Sequence, residues 1–330
     1  MNNLNNPVSS FRVTCLWVLN KIIIILNKSN SSNYINYFIN KNAITNYKFI
    51  FTRIQNHIFL DEMSEFFWFI CELAKNDSTI LIPIFFENMK DFNYLTNYNQ
   101  IKRENALKNF DFILNNSLTK KMSQVSLRLI SNLLVVCNNE LKNEYLLNKF
   151  LDKFFEKKTI LLFLTDILNS PKNKYDISLV KDALLLIFNL ISFSPTKSHI
   201  FFKKGIINLI SDRDYHVNKE VMRILYMAIY IILINSSNSF ESNDEKVIRA
   251  CLSVFKRFKE EENMLIIFID ILYSYLKASK SIIYNTDIEN ELQLLKNENN
   301  TSIEQYQNMF IKLANIVKEF SPLSKFMRNI

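Results

Sequence analysis

Side chains that could carry out catalysis are scattered along this chain of 330 residues. The three histidines are His57, His199 and His216, and none is spaced from an acid or a cysteine as in a metal site or a catalytic triad. His216 ends the polar run Asp212–His216, whose aspartates are typical of a helix-capping turn rather than of metal ligands. The sequence therefore predicts that the protein is not an enzyme and holds neither a metal nor a cofactor.

Glycine is almost absent, because Gly205 is the single one in the sequence. Phosphate-binding loops, dinucleotide fingerprints and nucleophile elbows need glycine where the backbone approaches a ligand or takes a positive φ. The common nucleotide-dependent enzymes are therefore excluded. Sheet proteins with many tight turns also need glycine, so the composition favours helices joined by polar connections.

The four cysteines stand far apart, each within an apolar helical stretch, and no Cys-x-x-Cys spacing occurs. This distribution predicts buried, reduced thiols in a cytosolic or nuclear protein rather than a zinc site or a disulfide framework. The residues are Cys15, Cys71, Cys137 and Cys251.

The formal net charge is +8, but the lysines are dispersed rather than gathered in a stripe. A solvated lysine surface is favoured over a nucleic-acid partner, with RNA binding left as a third hypothesis. The apolar start Phe11–Leu26 contains Arg12 and Lys21, so it lacks the roughly twenty uncharged residues of a membrane span. The sequence thus predicts no membrane association and no signal peptide.

Apolar residues recur at helical spacing through most of the chain, and no series of alternating strands with hairpin turns interrupts them. The fold class predicted is therefore all-α. The predicted helices are Ser9–Leu26, Glu62–Ala74, Arg103–Asn116, Met122–Cys137, Leu146–Phe155, Thr159–Leu168, Leu179–Phe193, Ile200–Ile210, Lys219–Asn235, Glu245–Phe258, Asn263–Ala278 and Ile303–Phe320.

Several of these helices share one internal pattern, in which apolar residues precede Asn-Leu or a substitute. The copies are Arg12–Leu19, Glu65–Leu73, Val125–Leu133, Asp182–Leu190 and the degenerate Lys219–Leu225. The step from Leu185 to Arg223 is close to the roughly forty residues of an armadillo unit. The sequence predicts one right-handed armadillo-type solenoid over residues 1–330, with about six or seven degenerate repeats. A polar connection over 280–302 would precede the C-terminal helix over 303–320.

The tryptophans and two asparagines of these copies carry a family resemblance. Trp17 and Trp68 stand at one position of the pattern, and Asn132 and Asn189 stand four residues after the matching position of their helices. In this the chain resembles importin alpha (karyopherin alpha), whose repeats carry Ala-Trp-x-Leu-x-Asn-Ile in the third helix. A second likeness is to the closing segment of that family, in Asp287–Gln293, Asn297–Asn299, Glu304 and Tyr306.

The resemblance implies an adaptor that binds extended basic peptides, the nuclear localisation signals of cargo, in a concave groove. Tryptophans would sandwich the stem of a Lys or Arg, asparagines would pair with the peptide backbone, and acids would hold the cationic tip. The resemblance also implies a monomer that moves between cytoplasm and nucleus with an importin-beta-type carrier. The peptide-binding residues would be Trp17, Trp68, Glu72, Asn132 and Asn189, with Asp77 as a further acid.

The chain departs from the family pattern at several of these positions. Lys21 and Glu72 stand where asparagine would follow each tryptophan, and Arg128 stands at a tryptophan position. Met1–Ser10 contains no Lys or Arg, so the basic carrier-binding segment is expected to be missing. The alternative is a generic armadillo or HEAT scaffold subunit of a protein complex, in which the tryptophans are core residues and the asparagines are caps.

Overall fold

The computed structural model describes residues 7–29, 32–56, 59–86, 97–116, 122–169, 176–197, 200–201 and 219–235. Throughout these residues the chain is helical, without strands, which confirms the all-α prediction. The predicted helices Glu245–Phe258, Asn263–Ala278 and Ile303–Phe320, most of Ile200–Ile210 and the connection over 280–302 lie outside the described residues. So do the family likeness over 287–306, Gly205, Cys251 and the run Asp212–His216.

Within the described ranges, two short 3₁₀ turns accompany the α-helices, at Ser78–Ile80 and Pro195–Lys197. The α-helices are α1 (Ser9–Lys28), α2 (Ser32–Ile39), α3 (Lys41–Asn56), α4 (Leu60–Ala74), α5 (Leu81–Phe85), α6 (Asn97–Asn116), α7 (Ser123–Asn139), α8 (Glu144–Glu156), α9 (Lys158–Asn169), α10 (Ile177–Phe193) and α11 (Lys219–Asn235). The chain divides into two compact units, Met1–Leu164 and Thr165–Ile330. The single domain over 1–330 stays a prediction.

In the first unit, α1, α4 and α7 lie side by side and run in the same direction. Arg12 and Glu62 pair near the starts of α1 and α4, and the side chains of Asn27 and Asn76 meet near their ends, 2.6 Å apart. Beyond the ends of α4 and α7, the Ser78 hydroxyl donates to Glu140. These are the three helices of this unit that carry the repeated pattern. We call them the ladder helices.

A second group of helices in this unit packs around aromatic side chains. The helices α6 and α8 run in the same direction. Two pairs show this, since Lys153 with Asp111 and Lys157 with Asn115 have the same sequence separation of 42 residues. Between them the rings of Phe110 and Phe150 stack with centroids 4.1 Å apart. The chain thus repeats the parallel arrangement of the ladder helices in a second pair.

In the second unit, α10 packs against α11, and both carry copies of the repeated pattern. Lys181 near the start of α10 pairs with Glu220 in the first turn of α11, a separation of 39 residues. This separation agrees with the step of roughly forty residues between the matching positions of the two copies.

The helices α2 and α3 were not predicted, because asparagine and lysine interrupt their apolar period. Asparagine nevertheless acts here: Asn40 precedes α3, and its side-chain oxygen accepts from the backbone N–H of Ala43 at 2.9 Å. The buried residues of α3 recur at helical spacing, and burial raises the pKa of Tyr47 above its ordinary value. These residues are Ala43, Tyr47, Ile50, Phe51 and Ile54.

Cys137, near the end of α7, tests the buried-thiol interpretation. Burial raises the pKa of its thiol to about 12. Because the thiolate is the reactive form, we expect iodoacetamide at pH 8 to label Cys137 at least about tenfold more slowly than the half-buried Cys15, as read by peptide mass spectrometry. The free energy of unfolding should also fall above pH 9, since the unfolded chain then loses a proton that the folded thiol keeps. Equal labelling rates would contradict this.

Candidate functional site

The predicted site residues of the first unit lie at matching positions of the three ladder helices. Trp17, Trp68 and Arg128 occupy one position of α1, α4 and α7, and the residue four places later shares the same helix face. Those later residues are Lys21, Glu72 and Asn132. The repeat pattern therefore places six side chains in two rows across neighbouring helices.

At α4, the ring of this row is already covered by a cation of the chain itself. The guanidinium carbon of Arg128 lies 4.8 Å from the centroid of the Trp68 ring, within the range of a cation–π contact. The same guanidinium points one nitrogen at Glu72, with Nη1 3.4 Å from Oε1. We call Trp68, Glu72 and Arg128 the α4 slot. Trp68 is half-buried, and the Arg128 side chain keeps 22% of its surface exposed.

Glu72 is buried, with 5% of its surface exposed, although a carboxylate that holds the tip of a peptide side chain was expected to be accessible. Lys75 lies one turn later and donates to both carboxylate oxygens at 2.7 and 2.6 Å. The Asn27 side chain, from α1, donates to Glu72 Oε2 at 3.3 Å and to its backbone oxygen at 3.1 Å. The carboxylate is thus shared between two cations and an amide of the chain.

The Trp17 ring on α1 is 49% exposed, and the ammonium of Lys21 lies 5.4 Å from its centroid. Glu65 of α4 is an acid on which the charge of Lys21 acts. Burial raises the pKa of Glu65 above its ordinary value, while a hydrogen bond with Asn20 and the charge of Lys21 act in the opposite direction. Trp17 is therefore the accessible ring of the pair, and its nearest cation stands on its own helix.

The remaining predicted residues are placed less directly. Asn132 is half-buried on α7, and Asn189 is buried on α10 in the second unit. Asp77 caps the 3₁₀ turn after α4, since its carboxylate accepts from the backbone N–H of Thr79 at 2.9 Å. Peptide roles for Asn132, Asn189 and Asp77 stay predictions. The sequence analysis did not identify Lys75 and Asn27 as partners of Glu72. Lys75 could have been found, because it stands three residues after Glu72 on the same helix face, whereas no sequence spacing points to Asn27.

A buried cluster of charges at the other end of α1 and α4 was also missed. The side chain of Glu62 is 1% exposed, and it accepts two hydrogen bonds of 3.1 Å and one of 2.7 Å from Arg12. Arg53, from the last turn of α3, pairs with the same carboxylate. Arg12 also donates to the backbone oxygen of Pro7 at 2.9 Å. These contacts join α1, α3 and α4 and have a structural role.

The exposed surface of α1 carries several apolar side chains. Another face of the helix packs toward α4 through buried residues that include Leu16 and Ile23. Among the helices of the described ranges, α1 is the one that is long and apolar enough to cross a membrane. Core helices of soluble proteins and N-terminal signal sequences have the same length and composition, so this is weak evidence for a membrane span. The exposed apolar residues on or beside α1 are Val8, Phe11, Trp17, Val18, Ile22 and Ile25.

Among the described side chains, no three His, Cys, Asp or Glu residues come together as a metal site. His57, His199 and His216 lie outside the described residues, so the absence of a metal and of catalysis stays a prediction.

Comparison with models of protein families gave no match, and neither did comparison with curated proteins. Among solved structures, the crystal structure of an engineered protein is similar to this chain at 12% sequence identity. That match covers 84% of this chain and 95% of the engineered chain, with a TM-score of 0.47. What the protein does is therefore inferred from its own residues.

Proposed function

We propose that the chain is an armadillo-type helical-repeat adaptor that binds an extended basic segment of a partner protein. Two features support a solenoid of repeats: the parallel ladder helices α1, α4 and α7, and the step near forty residues between α10 and α11. In such a stack, matching positions of successive helices form a continuous row. A row of this kind suits an extended peptide, whose side chains fall into successive positions.

The observation that carries the proposal is that Trp68 and Glu72 hold a guanidinium. The ring meets Arg128 at 4.8 Å, and the carboxylate meets it at 3.4 Å. An arginine of a bound peptide would find the same aromatic face and the same negative charge, which is the recognition that the family resemblance implies. The exposed Trp17 ring would offer a second position on the neighbouring helix.

A basic peptide of this type is the signal that directs proteins into the nucleus, so the proposed role is nuclear protein import. The proposed partners are cargo proteins and an importin-beta-type carrier, and the proposed location is the cytoplasm and nucleus. This assignment depends on peptide binding and is tested with it.

Peptide binding should depend on the two tryptophans. A fluorescent Lys/Arg-rich peptide is expected to bind saturably, and Trp17→Ala or Trp68→Ala should each weaken binding by roughly threefold to thirtyfold, the range of a cation–π contact. Fluorescence anisotropy measures the affinity. Tyr37→Ala is the control, because Tyr37 is an exposed aromatic residue of α2 outside the two rows and should leave binding unchanged.

A second candidate function is a scaffold subunit that holds a protein complex together without reading basic signals. It is favoured by the cations that already lie over Trp17 and Trp68 and by the exposed apolar side chains of α1. Absence of saturable binding by the basic peptide, or binding that is unchanged in both tryptophan variants, would reject the import function and leave the scaffold.

A further inference from the structure

We infer that Arg128 is a competitor built into the chain: it occupies the α4 slot and lowers the affinity of the protein for basic partners. The inference rests on the proposed peptide-binding function and adds its regulation. Arg128 stands at the position of α7 where the repeat pattern has tryptophan in α1 and α4. The substitution thus supplies a cation at a place where the preceding helix presents an aromatic ring and an acid.

Arg128 fills the α4 slot through a cation–π contact and a long ion pair. The approach of Nη1 to Glu72, 3.4 Å, is longer than the roughly 2.7–2.9 Å of a strong charged hydrogen bond. Lys75 makes the shorter contacts to the same carboxylate. Since the Arg128 side chain is also partly exposed, an incoming peptide can reach it from solvent.

An incoming arginine and Arg128 cannot both use the α4 slot in this geometry. The guanidinium of Arg128 lies over the Trp68 ring and donates to the carboxylate oxygen Oε1 of Glu72. When Arg128 leaves the ring, its positive charge remains nearby together with that of Lys75, and both repel a basic peptide. Arg128 therefore opposes binding in two ways, by occupying the slot and by its charge.

The size of the effect follows from the fraction of molecules in which the slot is open. A cation–π contact at a partly buried site leaves the slot open in roughly one molecule in ten, and the apparent affinity falls by that fraction. Removal of Arg128 should therefore raise the affinity for a basic peptide about tenfold.

The test uses Trp68 itself as the reporter. The chain contains two tryptophans, so Trp17→Phe leaves Trp68 as the only one. In this background we compare the parent with Arg128→Ala and with Arg128→Gln, which keeps most of the side-chain volume and guards against a packing defect. Arg223→Ala is the matched control, because Arg223 occupies the corresponding pattern position of α11 and is exposed. Trp68 emission is recorded alone and during titration with a Lys/Arg-rich peptide, and with a Glu-rich peptide of the same length.

The expected result has two parts. Both Arg128 variants change Trp68 emission without peptide, and both bind the basic peptide about tenfold more tightly than the parent, while Arg223→Ala does neither. Unchanged emission in both variants overturns the inference, because Arg128 then does not cover the ring. Saturable basic-peptide binding of equal strength in the parent and both variants also overturns it, and leaves the proposed function standing. If no variant binds the basic peptide although emission changes, the proposed function and the competition fail together. Binding of the Glu-rich peptide that disappears in the Arg128 variants overturns both and assigns Arg128 to an acidic partner.

Discussion

Replacing Glu62 with alanine is expected to lower the free energy of unfolding of the first unit by about 3–5 kcal/mol. The carboxylate is 1% exposed and is shared by Arg12 and Arg53, whose side chains are 6% and 17% exposed. Removing it leaves two enclosed guanidiniums without their counter-charge, and water cannot fully replace the hydrogen bonds that Arg12 makes. The loss is therefore much larger than that of a surface ion pair.

Urea unfolding followed by tryptophan emission measures this effect in the right part of the chain. Both tryptophans of the sequence, Trp17 and Trp68, lie within Met1–Leu164, so their emission reports the unit that contains Glu62. Glu220→Ala is the control, since the Lys181–Glu220 pair is substantially exposed and lies in the other unit. It should change this transition by less than about 0.5 kcal/mol. A loss below about 1 kcal/mol for Glu62→Ala would show that the charged cluster contributes little.

The helices that carry long apolar stretches could be predicted from the sequence with small errors at their ends. Lys219–Asn235 was predicted with the observed bounds, and α1 was predicted to end two residues early, at Leu26. The apolar period is decisive there because the buried residues that the structure describes in these helices recur at helical spacing. In α2 and α3 the same period is present but is diluted by asparagine and lysine. Local composition therefore obscured a pattern that burial in the folded chain makes evident.

The candidate site shows where sequence reasoning reaches its limit. The positions of Trp68, Glu72 and Arg128 within their own helices follow from the repeat pattern, because helical spacing fixes which residues share a face. Which cation lies over which ring depends on the lateral register between helices that are some sixty residues apart in sequence. That register is set by packing and by insertions in the connections, which no local spacing encodes. The pairing of Arg12 with Glu62, 50 residues away, was missed for the same reason.

Under the proposed function, Arg128 in the α4 slot alters one repeat by one substitution. In a row of tryptophans, each ring faces a space that an incoming side chain can enter. Arginine at the next position of the row fills that space from within, and the contact that would bind a partner now joins α4 to α7. The contact between Arg128 and the α4 slot thereby contributes to the packing of α7 on α4. The chemistry of the slot is kept, but its occupant belongs to the chain.

Replacing Phe150 with alanine should lower the free energy of unfolding of the first unit by about 3–5 kcal/mol, because it removes a ring from the tightest aromatic contact between α6 and α8. Phe150 is 1% exposed, stacks on Phe110 at 4.1 Å with an interplanar angle of 2°, and lies 5.8 Å from the ring of Phe86. Alanine leaves a cavity that both neighbouring rings border, and the parallel helices can close it only by shifting Lys153 and Lys157 away from their α6 partners. The same urea transition measures the loss.

Phe150→Leu should keep more than half of the free energy of unfolding that Phe150→Ala loses. Tyr34→Ala, at an exposed aromatic residue of α2, should change the free energy of unfolding by less than about 0.5 kcal/mol. Equal effects of Phe150→Ala and Tyr34→Ala would mean that α6 and α8 are not held together by this contact.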